Sequence, residues 1–331
     1  MPIASISKRL SAALISTLIA GSASAADKVV FQLDWLPGGD KAPIYVCIDK
    51  GFCADEGLEI TIEGGRGSSE AITRLATGTS DVGSADIGAL MAAKVTEDVK
   101  VTGIMSIFNK GPHAFFALKG AGIAKIEDVK GKSVATSPFT SSNVFLPLVL
   151  ADKGLSESDI TLTKADPGAL GPMLMTGASD VVIAWMTNVS VFSKQAASAG
   201  KELEILPWYS AGLDLYSASL LASDKFITER PDVAKRFVKA FKTSLEYVKT
   251  NPDEAAASVH KIVPELSVDD VKGAIMDTMV LEFNDVTDKD GLGVFEKDRL
   301  AETWKRVAAA QKLDVTKFEA DSFVDRSFLA E

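Results

Sequence analysis

Side chains that carry most enzymatic proton and metal chemistry are scarce in this 331-residue chain, which holds two histidines, His113 and His260, and two cysteines, Cys47 and Cys53. It has no H-E-x-x-H, P-loop, G-x-S-x-G or Cys/His cluster, so the sequence points to no catalytic residue, metal or cofactor. Lone His113, near an expected chain crossing, reads as a structural hydrogen bonder. Basic runs are missing too. Lys and Arg total 35 against 45 acids, a formal charge of −10, which argues against nucleic-acid and anionic-membrane partners. No repeat of solenoid period is visible.

The chain also lacks an apolar run long enough to span a bilayer. The longest, from Leu10 to about Ala20, is about a dozen residues against the roughly 20 required. Lys8 and Arg9 precede it, and Ala23 and Ala25 follow as a small-x-small cleavage pattern, so it reads as a Sec-type signal peptide cut after Ala25. No cysteine near that site offers a lipid anchor, and the expected compartment is the periplasm. Losing Lys8 and Arg9 takes the formal charge from −10 to −12. The remainder, roughly 306 residues, is large for one core and predicts two lobes. In an oxidising compartment, Cys47 and Cys53 are either a disulfide or two small buried thiols, and their spacing leaves both open. Gly51 between them is expected as a left-handed helix cap.

Strand and helix signals alternate. Strands are expected at 29–33, 58–62, 82–85, 99–108 and 114–118, with helices at 42–50, 69–77 and 87–94; Pro43 sits in a first turn, where proline is tolerated. The pattern restarts with strands at 133–136, 161–164 and 181–185 and a helix at about 143–153. A mainly helical segment runs from Thr228 to about Lys312, with Thr228-Glu229-Arg230-Pro231 opening an amphipathic helix through Tyr247. This alternation predicts an α/β protein with mostly parallel sheet and helices on both faces. Lobe 1 is expected from 26–116 and a helical second part, 218–331, and lobe 2 from 117–217, joined by two crossovers.

Several segments, in this order, resemble a family. They are Leu33-Asp34-Trp35-Leu36-Pro37, Ala42-Pro43-Ile44-Tyr45-Val46, Gly67-Ser68-Ser69-Glu70-Ala71, Leu75-Ala76-Thr77-Gly78-Thr79-Ser80-Asp81-Val82-Gly83, Ile126-Glu127-Asp128-Val129-Lys130-Gly131-Lys132 and Asp214-Leu215-Tyr216-Ser217. The chain resembles the periplasmic ABC-transporter solute-binding proteins of the thiamine-pyrimidine-precursor, sulfonate and nitrate group (SsuA/THI5-like). That resemblance implies a type II-like periplasmic binding protein fold. It also implies capture of a small heterocyclic or anionic organic solute and delivery to an ABC permease and its ATPase by a monomer outside the membrane. The alternatives are a pyrimidine-precursor synthase-like enzyme of the same fold and a binding protein serving a signalling receptor.

Ligands of open α/β lobes bind outside the carboxyl ends of strands, in the crevice between lobes. That rule selects Asp34 and Trp35 after the first strand, Trp for stacking or for packing at the hinge, and Asp as an acceptor for the ligand or for the turn's own backbone donors. It selects Gly67, Ser68 and Ser69, where serines cap a helix whose free N–H groups face the ligand. Glu70 in that first turn opposes a fully anionic ligand. In lobe 2 it selects Ser137, Phe139 and Ser141, then Trp185 and Asn188. Asn109, Asp214 and Tyr216 flank the crossings, as ligand contacts or hinge fixtures. Pyrimidine-precursor binders are expected to carry an acid near Met186 and Thr187, and this chain departs from that pattern.

Overall fold

The computed structural model describes residues 25–329; the leader expected at 1–25 lies outside them except for Ala25. Ten strands form two five-stranded sheets. The first contains β1 (Asp27–Gln32), β2 (Leu58–Glu63), β3 (Val82–Asp86), β4 (Val101–Ser106) and, from the far end of the chain, β10 (Ala218–Ser223). The second contains β5 (His113–Leu118), β6 (Ser133–Thr136), β7 (Thr161–Lys164), β8 (Val181–Trp185) and β9 (Leu203–Pro207). Their orders are β2-β1-β3-β10-β4 and β7-β6-β8-β5-β9. The chain crosses from first to second sheet between β4 and β5 and returns between β9 and β10.

The sheets are mixed, which corrects the expectation of a mostly parallel arrangement. β1, β2 and β3 pair in parallel, as do β6, β7 and β8, but β10 runs antiparallel to β3 and β4, and β5 antiparallel to β8 and β9. The reversed strand in each sheet is the one that arrives from the other lobe. Coming from outside, it needs no crossover helix and enters in the opposite direction.

A second correction concerns the helical segment. Thr228 and Glu229 end one helix, Asp224–Glu229, and Pro231 opens another, Pro231–Thr250, at its first turn. Proline supplies no N–H and fixes φ, so it starts a helix better than it continues one. Buried Val233, Phe237, Ala240, Phe241, Ser244, Leu245 and Val248 form one face of the second helix. Phe237 and Phe241 lie 5.8 and 6.1 Å from the ring of Phe31 on β1, fixing this helix on the first sheet.

Two C-terminal helices also reach the second lobe. On Val268–Glu282, Asp277 accepts a 2.7 Å bond from the Ser190 amide, and Asp270 pairs with Lys194. On Lys297–Gln311, Gln311 donates to the Val144 carbonyl at 2.6 Å, and Arg306 pairs with Asp152 at 2.6 Å. Beneath them, Phe115, Val134 and Leu150 of the second lobe share one apolar cluster with Ile87, Val101, Leu221 and Trp304 of the first. The lobes are therefore buttressed on one side as well as hinged.

Cys47 and Cys53 are bonded, with Cα atoms 5.1 Å apart. Gly51 makes the turn between them at φ 84°, a left-handed conformation that glycine adopts without a Cβ penalty. The bond closes a short loop, so replacing both cysteines with serine should cost about 2 kcal/mol in chemical denaturation. Intact protein should be lighter by two hydrogens before reduction than after; equal masses would show free thiols.

Candidate functional site

Between the lobes, past the carboxyl ends of β1, β2, β6 and β8, lies a slot lined by Asp34, Trp35, Asp40, Gly67, Ser68, Thr140, Ala184, Trp185, Thr187 and Asn188. Its volume is about 310 Å³, part of it open to solvent. Larger hollows open beside Ile104, Lys242 and Leu329 and beside Lys119 and Lys201. Each lies on one lobe alone.

Of the residues expected from sequence, Asp34, Trp35, Gly67, Ser68, Trp185 and Asn188 line this slot together. β1 ends at Gln32, and Asp34 follows as the chain turns out of the sheet. Its Oδ1 accepts from Ser84 Oγ at 2.8 Å and from Lys41 Nζ at 2.5 Å. Its Oδ2 is buried with no partner in the protein. Lys41 also pairs with Asp40 at 3.0 Å and lies 5.7 Å from the centre of the Trp185 ring. Burial alone would lower the Lys41 pKa; the two carboxylates raise it instead. The Trp185 indole N–H is also buried and unpartnered.

Other expected residues fall elsewhere. Gly67 precedes the helix Ser68–Ala76, and its backbone presses on Phe139 of the second lobe, where a Cβ would stand 2.1 Å from the Phe139 oxygen. The Ser69 amide donates to that oxygen at 3.1 Å, and Ser137 Oγ donates to the Arg66 carbonyl at 3.0 Å. Ser69, Ser137 and Phe139 thus join lobe to lobe. This corrects the picture of a free helix N-terminus facing the ligand, because the other lobe occupies that donor. Ser68 does not cap the helix. It is the first helical residue, and its Oγ accepts from the Asp86 amide at 3.1 Å. Glu70 is bound by Arg66 and Arg74 and lies outside the slot. Ser141 is fully buried and does not line the slot.

Asn109, Asp214 and Tyr216 belong to the hinge. Arg299 donates to the Asn109 carbonyl on the outward crossing and, at 2.8 Å, to Asp214 on the return. Tyr216 donates to the Val294 carbonyl at 3.1 Å and accepts from the Glu296 amide at 2.9 Å. His113 lies between Asp86, 3.4 Å from its Nε2, and Ser142, 3.0 Å from its Nδ1. That chain resembles a catalytic triad, but Ser142 is fully buried and does not line the slot.

Sequence reading missed Asp40, Lys41 and Glu282. A lysine at the start of the apolar helix Ala42–Asp49 was the available signal. Glu282 is 2% exposed and makes no side-chain hydrogen bond. Burial first, and the Asp40 charge second, push its pKa well above 4.5. Among the described residues no group of His, Cys, Asp and Glu is arranged to hold a metal ion, and no helix is long and apolar enough to cross a membrane.

Two predictions follow from this geometry. Gly67→Ala should wedge the loops apart, enlarging the radius of gyration in X-ray scattering under conditions that close the wild type; an unchanged radius would mean Phe139 yields instead. Glu282 binds its proton more tightly folded than unfolded, so its contribution to stability falls as pH rises above 4.5. The melting-temperature difference between Glu282→Gln and wild type should therefore shift in the variant's favour as pH rises from there. A pH-independent difference would refute the buried-acid assignment.

Comparison with known proteins gives this geometry a context. The NMT1/THI5-like family model matches residues 39–255. The riboflavin-binding protein RibY of Chloroflexus aurantiacus is 25% identical over 90% of this chain and 86% of its own. A 4-amino-5-hydroxymethyl-2-methylpyrimidine phosphate synthase of Saccharomyces cerevisiae, THI13, is 25% identical over 73% of each chain. In fold, the chain is similar to the alkanesulfonate-binding protein SsuA of Xanthomonas axonopodis pv. citri bound to MOPS, at TM-score 0.70 and 15% identity over 92% of this chain and all of that one. With two lobes, two crossings and a family match over most of its length, the chain belongs to the NMT1/THI5-like family and has the periplasmic binding protein fold.

Proposed function

We propose that this chain is the extracytoplasmic solute-binding component of an ABC importer, trapping one small planar heterocycle between its lobes and presenting the closed form to a permease and its ATPase. In this reading residues 1–25 are a cleaved leader and the mature protein works as a periplasmic monomer. Lobe 1 spans 26–116 and 218–331, and lobe 2 spans 117–217. The carrying observation is the slot itself, lined by Asp34, Trp35 and Trp185, with Asp34 Oδ2 and the Trp185 indole N–H both buried and without a partner in the protein. Buried polar atoms are ordinarily satisfied, so an unmatched acceptor and donor lining one cleft argue for a ligand that supplies the complements.

A heterocycle is favoured over a sulfonate or nitrate. No cation lines the slot, and Lys41, beside its two acids, is committed to Asp34 and Asp40. Capture is favoured over synthase chemistry because neither histidine nor cysteine lines the slot, and the two cysteines are bonded to each other. Binding energy realised only in the closed form would drive closure.

Native mass spectrometry of the purified protein tests the reading. One small aromatic molecule, released on denaturation, is the expected result. Conversion of a bound pyrimidine or flavin during incubation would overturn it in favour of an enzyme. Trp35→Ala should weaken binding of that molecule by about tenfold, roughly 1.4 kcal/mol, with little change in the melting temperature of the ligand-free protein; unchanged affinity would remove Trp35 from the site.

A further inference from the structure

Two of the ten residues lining the slot are acids, Asp34 and Asp40, and none is basic. The lysine behind them is a single charge shared by both, at 2.5 Å from Asp34 and 3.0 Å from Asp40, and its side chain is 4% exposed. The local sum of formal charges is therefore one negative charge in a nearly closed cleft. Asp34 Oδ1 is fully used by Lys41 and Ser84, while Oδ2 is bare. Removing a carboxylate oxygen from water without a partner is costly, and a cationic N–H donor is its strongest complement. The flanking tryptophans point the same way, since an indole face attracts cations. Lys41, 5.7 Å from the Trp185 ring, already makes one such contact.

We propose that the slot selects a planar solute carrying one positive charge, an amidinium-like or protonated amino-heterocyclic edge donating to Asp34 Oδ2 while its ring lies against Trp35 and Trp185. This rests on the reading of the slot as a capture site and adds the charge of what is captured. An anion would meet Asp34 and Asp40 with no cation free to receive it. A neutral solute would leave the excess negative charge in place. Burial, the largest influence, together with the Asp34 charge outweighs Lys41 and raises the Asp40 pKa, so this acid gains from any further positive charge beside it. A cation supplies the missing charge directly. The charged and titratable groups around Asp40 are Asp34 on the same loop, Lys41 and Tyr45 at the start of the next helix and Glu282 at the end of Val268–Glu282.

Three probes of nearly one shape and three charges test this: benzamidinium, benzamide and benzoate, each titrated calorimetrically into the wild-type protein at neutral pH. Benzamidinium should bind at least about tenfold more tightly than benzamide, with no heat from benzoate, and Asp34→Asn should abolish that preference. Should Asp34→Asn fail to fold, Asp40→Asn should shrink the preference in the same direction. Benzamide or benzoate binding as tightly as benzamidinium would leave a capture site but refute the charge selection. No binding by any of the three would overturn both the charge selection and the small-aromatic reading beneath it.

Discussion

One buried carboxylate, that of Asp86, holds the two lobes in register. It ends β3, and its Oδ1 caps the helix Ile87–Glu97 through the Gly88 and Ala89 amides at 2.7 and 3.3 Å. Its Oδ2 accepts from Ser217 on the return crossing at 2.5 Å and faces His113 on the outward crossing. Burial acts to raise its pKa, but the bonds from His113, Ser217 and Gly88 hold it below the ordinary aspartate value. A fully buried acid is tolerable only with such a complement of donors. The Asp86 amide reaches Ser68 on one wall of the slot, and His113 reaches Thr140 on the other through Ser142. Both crossings and both walls therefore meet at one residue, and a change in its surroundings is felt on each side of the cleft.

A second joint lies further out, where Arg299 binds Asn109 and Asp214 on the two crossings at once. Together with the helices Val268–Glu282 and Lys297–Gln311, it makes the C-terminal segment a brace across the back of the hinge. The shared apolar cluster behind it cannot separate without exposing core side chains such as Phe115, Leu221 and Trp304. At the front the lobes meet instead through polar contacts, Ser69 to the Phe139 carbonyl and Ser137 to the Arg66 carbonyl, which water can replace. An apolar back and a polar front of this kind would suit the proposed trap, opening by a limited rotation.

This family includes relatives named as binding proteins and relatives named as synthases, so fold alone does not choose between them. The side chains lining the slot do the discriminating. Here they are aromatic rings, acids, hydroxyls and an amide, while His113 and the sulfur atoms are placed for support. His113 works within the Asp86 joint, and Cys47 and Cys53 fasten a surface turn.

Sequence alone determined what depends on local pattern. Strands at 133–136, 161–164 and 181–185 were legible because each is a short β-branched or apolar run bounded by turn residues. The turn at Gly51 follows from glycine's freedom at positive φ, and the strand-end rule brought Asp34, Trp35, Gly67, Ser68, Trp185 and Asn188 to one cleft. Tertiary structure decided what depends on partners distant in sequence. β10 pairs with strands more than a hundred residues earlier, so its reversed direction had no local mark. Ser69 and Ser137 read as ligand-facing until the opposite lobe is seen to occupy them. Asp40 and Lys41 read as a helix start, and Glu282 as one acid among many. Burial and charge are properties of the assembled site, and only folding brings Asp34, Asp40, Lys41 and Glu282 close enough for each to set the protonation of the next.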